Sequence, residues 1–233
     1  WMNLGDGTVQ SINGSQISEI DRLVLRTGSG DDRISNSGFA SNDEFVTGAG
    51  NDYVHGGAGA DRIDTGAGDD EIHLSFANSF EFGDWVYGGA GTDRLVVDAG
   101  IGAADVFWYA VTETGATLDG AGYRSTMAEV ERMLTASPIR MFTTWNDSSG
   151  VRFRDIEHLS LLGSGVAATN DLRVVFGAGR YDGERGTSDA LYADWSGAAA
   201  PIVWDNLANV TVQSVNGSQI GNVERLLLRT GAG

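Results

Sequence analysis

Five aspartates, Asp32, Asp52, Asp61, Asp70 and Asp93, each close a glycine-rich run and stand two residues before an apolar side chain (Ile34, Val54, Ile63, Ile72, Leu95). The runs are TGSGDDRIS from Thr27, TGAGNDYVH from Thr47, GGAGADRID from Gly56, TGAGDDEIH from Thr65 and GGAGTDRLV from Gly88. All obey x-G-x-G-x-D-x-U-x, with U apolar. The chemistry on offer is cation binding. Glycine permits the positive φ of a tight turn and leaves its carbonyls open, and aspartate supplies a hard, charged oxygen. A single Asp-Gly turn is an ordinary β-turn. Turns repeated in register are different, because they stack carboxylates one strand spacing apart, about 4.8 Å, where the charges repel unless a cation lies between them. The residues after each Asp read as a short strand with the apolar member pointing inward.

This nonapeptide resembles the calcium-binding repeat of the RTX (repeats-in-toxin, haemolysin-type) family. The resemblance implies an all-β fold: a calcium-binding parallel β-roll, or β-solenoid, here followed by additional mainly-β blocks. In such a roll two nonapeptides make one coil, so an edge recurs every second repeat. Extending the frame reaches GFASNDEFV (38–46), which keeps Asp43, after a two-residue insert. It also reaches SFEFGDWVY (79–87), which keeps Asp84, after a five-residue insert at 74–78. Repeats starting at 27, 47, 65 and 88 then share a first edge, and those at 38, 56 and 79 a second.

Carrying over the family's ligand pattern implies three full sites on the first edge. One uses Thr27, Ser29, Asp32, Gly48, Gly50 and Asp52. The next uses Thr47, Ala49, Asp52, Gly66, Gly68 and Asp70, and the third Thr65, Ala67, Asp70, Gly89, Gly91 and Asp93. Six oxygens including two carboxylates suit Ca²⁺ better than Mg²⁺, which prefers a tight octahedron and retained water. The second edge is expected to offer at best two weaker sites, Asp43/Asp61 and Asp61/Asp84, around Gly57 and Gly59.

Composition agrees. The net charge is −17, with 22 Asp against 10 Glu and no Lys, which excludes a nucleic-acid partner because phosphates need a basic face. No stretch is apolar enough to insert in a membrane. The lack of cysteine fits stabilisation by metal instead of disulfides. The resemblance further implies a bacterial protein that is secreted or displayed at the cell surface by type I secretion.

The chain repeats itself. Residues 1–30 align without gaps to 204–233 at an offset of 203, with 19 of 30 positions identical, as in a tandem array. The expected organisation is lead-in strands over 1–26, the calcium roll over 27–96, a diverged mainly-β half-repeat over 97–203, and the start of the next repeat from 204. We expect the chain to be an excerpt of a longer polypeptide. A shorter pattern, I/V-E/D-x-L/M, recurs at Ile20, Val130, Ile156 and Val223. Around Val130 two signals conflict: Thr126 and Glu129 have capping-box spacing, whereas the repeat logic predicts a strand, which is the expectation adopted.

Other chemistry is sparse. His55 and His73 fall one coil apart on the outer face and read as a solvated pair, and His158 as structural. No nucleophile or zinc motif is present. Phe76, Phe80, Phe82, Trp85 and Tyr87, with Phe107, Trp108 and Tyr109, read as a seal on the roll's end, the alternative being a carbohydrate-stacking platform. Glu44/Arg62 and Glu71/Arg94 are expected as cross-strand pairs. The function expected is a non-enzymatic, calcium-dependent structural repeat of a large adhesin or extracellular matrix protein, whose partners are calcium, neighbouring repeats and a carbohydrate or cell surface. The alternative is a calcium-binding accessory or carbohydrate-binding region of a secreted enzyme or toxin.

Overall fold

The structure is a computed structural model and describes residues 10–12, 15–17, 20–75, 83–98, 106–114, 116–137, 139–144, 150–162, 171–183, 187–205 and 212–231. An antiparallel hairpin, β1 (Gln10–Ile12) and β2 (Ser15–Ile17), precedes a regular series of short strands. These are β3 (Val24–Arg26), β4 (Arg33–Ser35), β5 (Glu44–Ala49), β6 (Tyr53–Gly57), β7 (Arg62–Ala67), β8 (Glu71–Ser75), β9 (Asp84–Ala90) and β10 (Arg94–Asp98). They wind alternately into two parallel sheets, β3-β5-β7-β9 and β4-β6-β8-β10. One coil is thus a pair of strands, one in each sheet.

The strand interiors alternate buried and half-exposed, as period-two side chains between two facing sheets must. Phe45, Val54, Ile63, Ile72, Val86 and Leu95 are fully buried, with Leu74 and Val97 completing the layer. The core is narrow, so the backbone ladders carry much of the regularity. Coil-to-coil register is 18 residues where the repeats abut, 20 across the first insert and 23 across the second.

The winding does not stop at Asp98. β11 (Val106–Val111), β12 (Thr117–Ala121), α1 (Met127–Ala136) and β13 (Ile139–Thr144) form an excursion whose strands pair antiparallel. The chain then returns as β14 (Gly150–Arg154), parallel to β9, and β15 (His158–Leu162), parallel to β10. Further coils follow from β16 (Leu172–Val174), β17 (Arg180–Asp182), β18 (Ala190–Trp195), β19 (Gln213–Val215), β20 (Ser218–Gly221) and β21 (Arg225–Thr230). β17 and β20 extend the second sheet, while β16, β18 and β21 form their own parallel sheet.

The expected strand around Val130 is not formed. Residues 127–136 are helical, with Thr126 as N-cap and a complete capping box to Glu129. The local caps decide, because they satisfy end N–H groups that a strand would leave to a partner, and Val130 and Met133 bury one helical face. The hairpin β19–β20 has the register of β1–β2 at an offset of 203: Gln213 faces Ile220 as Gln10 faces Ile17. Among the described residues no helix is long and apolar enough to cross a membrane.

Candidate metal centre

The turns after β3, β5, β7 and β9 stack on one edge. Their glycines form two columns: Gly28, Gly48, Gly66, Gly89 and Gly30, Gly50, Gly68, Gly91. The last three of each column have φ between +95° and +146°. A Cβ on Gly66 would stand 2.1 Å from the Gly48 carbonyl oxygen, and one on Gly68 1.9 Å from that of Gly50. Only glycine allows both the conformation and the approach. Backbone bonds lace the column: Ala49 N–H donates to Gly28 O, Gly50 N–H to Ala67 O and Gly68 N–H to Ala90 O, each at 2.9 Å. The Thr27 and Thr47 hydroxyls donate to the carbonyls of Thr47 (2.9 Å) and Thr65 (3.1 Å). Ser29 and Ala67 lie exposed beside it.

Beneath the glycines the aspartates form a ladder. The N–H groups of Asp32, Asp52 and Asp70 donate to Oδ1 of Asp52, Asp70 and Asp93 at 2.8, 2.8 and 3.0 Å. In return the side chains of Asp31, Asn51 and Asp69 accept the N–H of Asn51, Asp69 and Thr92 at 2.8–2.9 Å. These position-five residues went unremarked in the sequence, although an Asx type recurs there. The ladder uses one oxygen per aspartate. The other, Oδ2 of Asp52, Asp70 and Asp93, is buried and without a hydrogen-bond partner. A buried carboxylate oxygen left bare is costly unless a cation meets it. Desolvation accordingly raises the Asp93 carboxyl to about 6, and burial likewise raises Asp70.

The second edge repeats the ladder with a difference. Leu23, Asp43 and Asp61 donate their N–H to Oδ1 of Asp43, Asp61 and Asp84 at 2.8, 2.9 and 2.8 Å. Gly57 and Gly59 have positive φ and press on the carbonyls of Asn36 and Ser41. Asp61 Oδ2 is again bare. Burial, then the Asp84 charge, pushes Asp61 up to about 8, and burial pushes Asp84 to about 7. Asp43 differs: its Oδ2 accepts from Asn36 Nδ2 at 2.5 Å and Ser41 Oγ at 3.0 Å, so the protein itself satisfies it.

The first-edge stack continues past the excursion. Asp93 N–H donates to Glu157 Oε2 at 2.9 Å, and the Asp93 carbonyl accepts from the N–H of Glu157 and His158. Asp155, with φ +53°, turns its carbonyl toward Gly88, where it meets the same space as Asp93 Oδ2. Sequence reading ended the stack at Asp93. The recurring pattern at Ile156 marked the residues but not their partner. At Val130 the same pattern lies on a helix, so the pattern alone does not specify this turn.

His55 and His73 stack at 5.8 Å between ring centroids, and His73 Nε2 lies 2.5 Å from Glu71 Oε1. Burial, then His73, lowers the His55 pKa, which disfavours a doubly charged pair. Glu71 stands 4.0 Å from Arg94, and Glu44 faces Arg62 in register. Trp85 and Tyr87 stack on the outer face, with Arg152 and Arg154 over their rings. Trp108 is instead fully buried against Phe153 and Phe176, and its indole N–H donates to the Leu172 carbonyl. It packs the excursion onto the coils that follow. Phe76, Phe80 and Phe82, and the side chain of Phe107, lie outside the described residues.

Among the described residues no three His, Asp or Glu side chains converge on one point. What these edges offer a cation is bare carboxylate oxygens beside closely stacked main-chain carbonyls. The hard, all-oxygen donor set with bare carboxylate atoms fits Ca²⁺. A family model of the RTX calcium-binding nonapeptide repeat matches residues 37–72 and 82–102, in four copies. These stretches carry RTX repeats, and such repeats bind calcium. The turn at Thr27–Asp32 lies outside the match yet stacks in the same column. Comparison with curated proteins finds none that matches this chain.

Proposed function

We propose that the chain, as a carrier of calcium-binding RTX repeats, is a non-enzymatic structural module of a large secreted or cell-surface protein of adhesin or matrix type, folding on calcium after export. The single observation that supports it best is the column of aspartates whose Oδ2 atoms are buried and bare. Between them, calcium bridges Asp32 with Asp52, Asp52 with Asp70, and Asp70 with Asp93, with main-chain oxygens of Thr27, Ser29, Thr47, Gly48, Ala49, Gly50, Thr65, Gly66, Ala67, Gly68, Gly89 and Gly91 completing the shells. On the second edge Asp61 retains a bare oxygen for an ion shared with Asp84, while Asp43 needs none. The module stiffens an array whose units join end to end, as the matching hairpin registers of β1–β2 and β19–β20 suggest.

Without calcium the stacked carboxylates repel, and the narrow core cannot offset the chain entropy of ordering. A low-calcium cytoplasm then keeps the chain unfolded for export. Circular dichroism and thermal melting with calcium or chelator test this. At neutral pH the expected result is a β-rich spectrum and cooperative melt only with calcium. Identical spectra and melts in both conditions overturn it.

A further inference from the structure

Outside the nonapeptides, the turn between β17 and β18 reproduces the bonding around Asp93, one coil series later and on the other edge. Asp189 Oδ1 accepts the Asp171 N–H at 2.7 Å, as Asp93 Oδ1 accepts that of Asp70 at 3.0 Å. Asp189 N–H donates to Glu224 Oε2 at 2.7 Å, as Asp93 N–H does to Glu157 Oε2. The Asp189 carbonyl accepts from Glu224 N–H and Arg225 N–H, as that of Asp93 accepts from Glu157 and His158. Asn222 has φ +53°, like Asp155. A Cβ on Gly183 would lie 1.9 Å from the Asn222 carbonyl oxygen and 2.5 Å from Asp189 Oδ2. On Gly88 the corresponding values are 1.9 Å to Asp155 and 2.6 Å to Asp93 Oδ2.

Asp189 is fully buried, and its Oδ2 has no hydrogen-bond partner. Among the described residues, the charges that act on Asp189 are Asp171, Arg173 and Glu224. Arg173, also fully buried, pairs with Asp171 Oδ2 at 2.8 Å and stands 3.7 Å from Asp189 on its Oδ1 side. Asp182, beyond Asn222, is engaged by Arg180 and by the Asn222 amide. Among the described residues, three carboxylates thus face one guanidinium, an excess of negative charge that favours a cation. The bare oxygen and the Asn222 carbonyl both lie against Gly183, and the guanidinium approaches the other carboxylate oxygen.

We infer that Asp189 Oδ2 and the Asn222 carbonyl, with Glu224 at the rim, bind one further calcium ion, in a turn that lacks the nonapeptide spacing. This rests on the calcium reading of the Asp93 turn, whose bonding it copies.

Bound calcium is counted after equilibrium dialysis of the whole chain, comparing Asp189→Asn, Asp70→Asn and the unaltered protein, with circular dichroism checking the fold. Asp189→Asn is expected to bind one ion fewer while keeping the nonapeptide ions, and Asp70→Asn to lose nonapeptide ions while keeping this one. A folded Asp189→Asn chain with the full count overturns the site and leaves the nonapeptide reading standing. No calcium on the unaltered chain overturns both. As a measurement independent of any variant's folding, crystals of the unaltered chain are soaked in Tb³⁺. An anomalous peak beside Asp189 Oδ2 supports the site, and peaks at the nonapeptide turns alone overturn it.

Discussion

The N–H of Asp52 donates to Oδ1 of Asp70, one coil on, at 2.8 Å, while Asp70 Oδ2 is buried and unpartnered. In the folded roll the bond fixes the carboxylate's orientation. One oxygen of the carboxylate holds the coils in register and leaves its twin bare. The shared carboxylate ties ligand affinity to the register of the roll, so that binding and folding are coupled.

Substitutions should separate the aspartates by what their second oxygen does. Asp52→Asn and Asp70→Asn keep an Oδ1 acceptor for the ladder but remove a charge shared by two ions. Each is expected to lower calcium affinity and cooperativity in calorimetric titration. Asp43→Asn should change little, because Asn36 and Ser41 already satisfy its Oδ2. Equal losses from all three would contradict this assignment.

Calcium should supply a large share of the stability. Extracellular calcium modules bind with Kd of roughly 10⁻⁴–10⁻³ M, and at tenfold excess each site adds about 1.4 kcal/mol. Three first-edge sites then add about 4 kcal/mol, a sizeable part of a typical domain's total. Urea unfolding across a calcium series should show the midpoint rising with concentration. A midpoint independent of calcium would rule the coupling out.

The calcium-free protein should lose stability as pH rises. Asp93, Asp84, Asp189 and Asp61 have folded pKa values raised to about 6, 7, 7 and 8. Their ordinary value is 3.8. Between about pH 4 and 8 the native state therefore holds protons that the unfolded chain has released, so unfolding becomes easier with increasing pH. Calcium replaces those protons and is expected to remove or reverse the slope. Far-UV circular dichroism against pH, without and with calcium, reads this directly: the calcium-free chain is expected to be most folded near pH 4 and to lose structure toward pH 8, and a calcium-free chain that gains structure over that range would refute it.

Glycine position should matter by stacking. Gly68→Ala places a methyl 1.9 Å from the Gly50 carbonyl at φ +140°, and is expected to cost more than ~1 kcal/mol in calcium. Gly28→Ala meets open space at the first coil and should be nearly neutral. Denaturant unfolding of both variants makes the comparison, and similar midpoints would argue against the column.

Thr126→Ala removes the N-cap of α1 and should cost ~1 kcal/mol. The calcium count should stay unchanged, since the helix lies on the excursion. A variant with altered calcium stoichiometry would show the excursion to be part of the metal edges.

The nine-residue motif determined the repeat frame, and through its resemblance to the RTX nonapeptide it implied the roll, the length of each coil and the edge on which each turn falls. A turn of two glycines and an Asp is a local event, and two such turns per coil leave the winding no other period. The inserts of two and five residues could be read as changes of register from 18 to 20 and 23 for the same reason. The capping box at Thr126 was equally local, and the helix follows it against the repeat logic. What only the tertiary structure decided is which oxygen of each carboxylate is left bare. That depends on how each turn folds back on its own aspartate: Asn36 and Ser41 reach Asp43 Oδ2 from within its turn, and no side chain does so for Asp61. It also decided that the stack runs on from Asp93 to Glu157 across more than fifty residues, and that Asp189, out of frame in the sequence, is bonded like Asp93. Parallel coils are joined by contacts remote in sequence, so an excursion of any length is invisible to spacing, and a ligand supplied from its far side has no period to announce it.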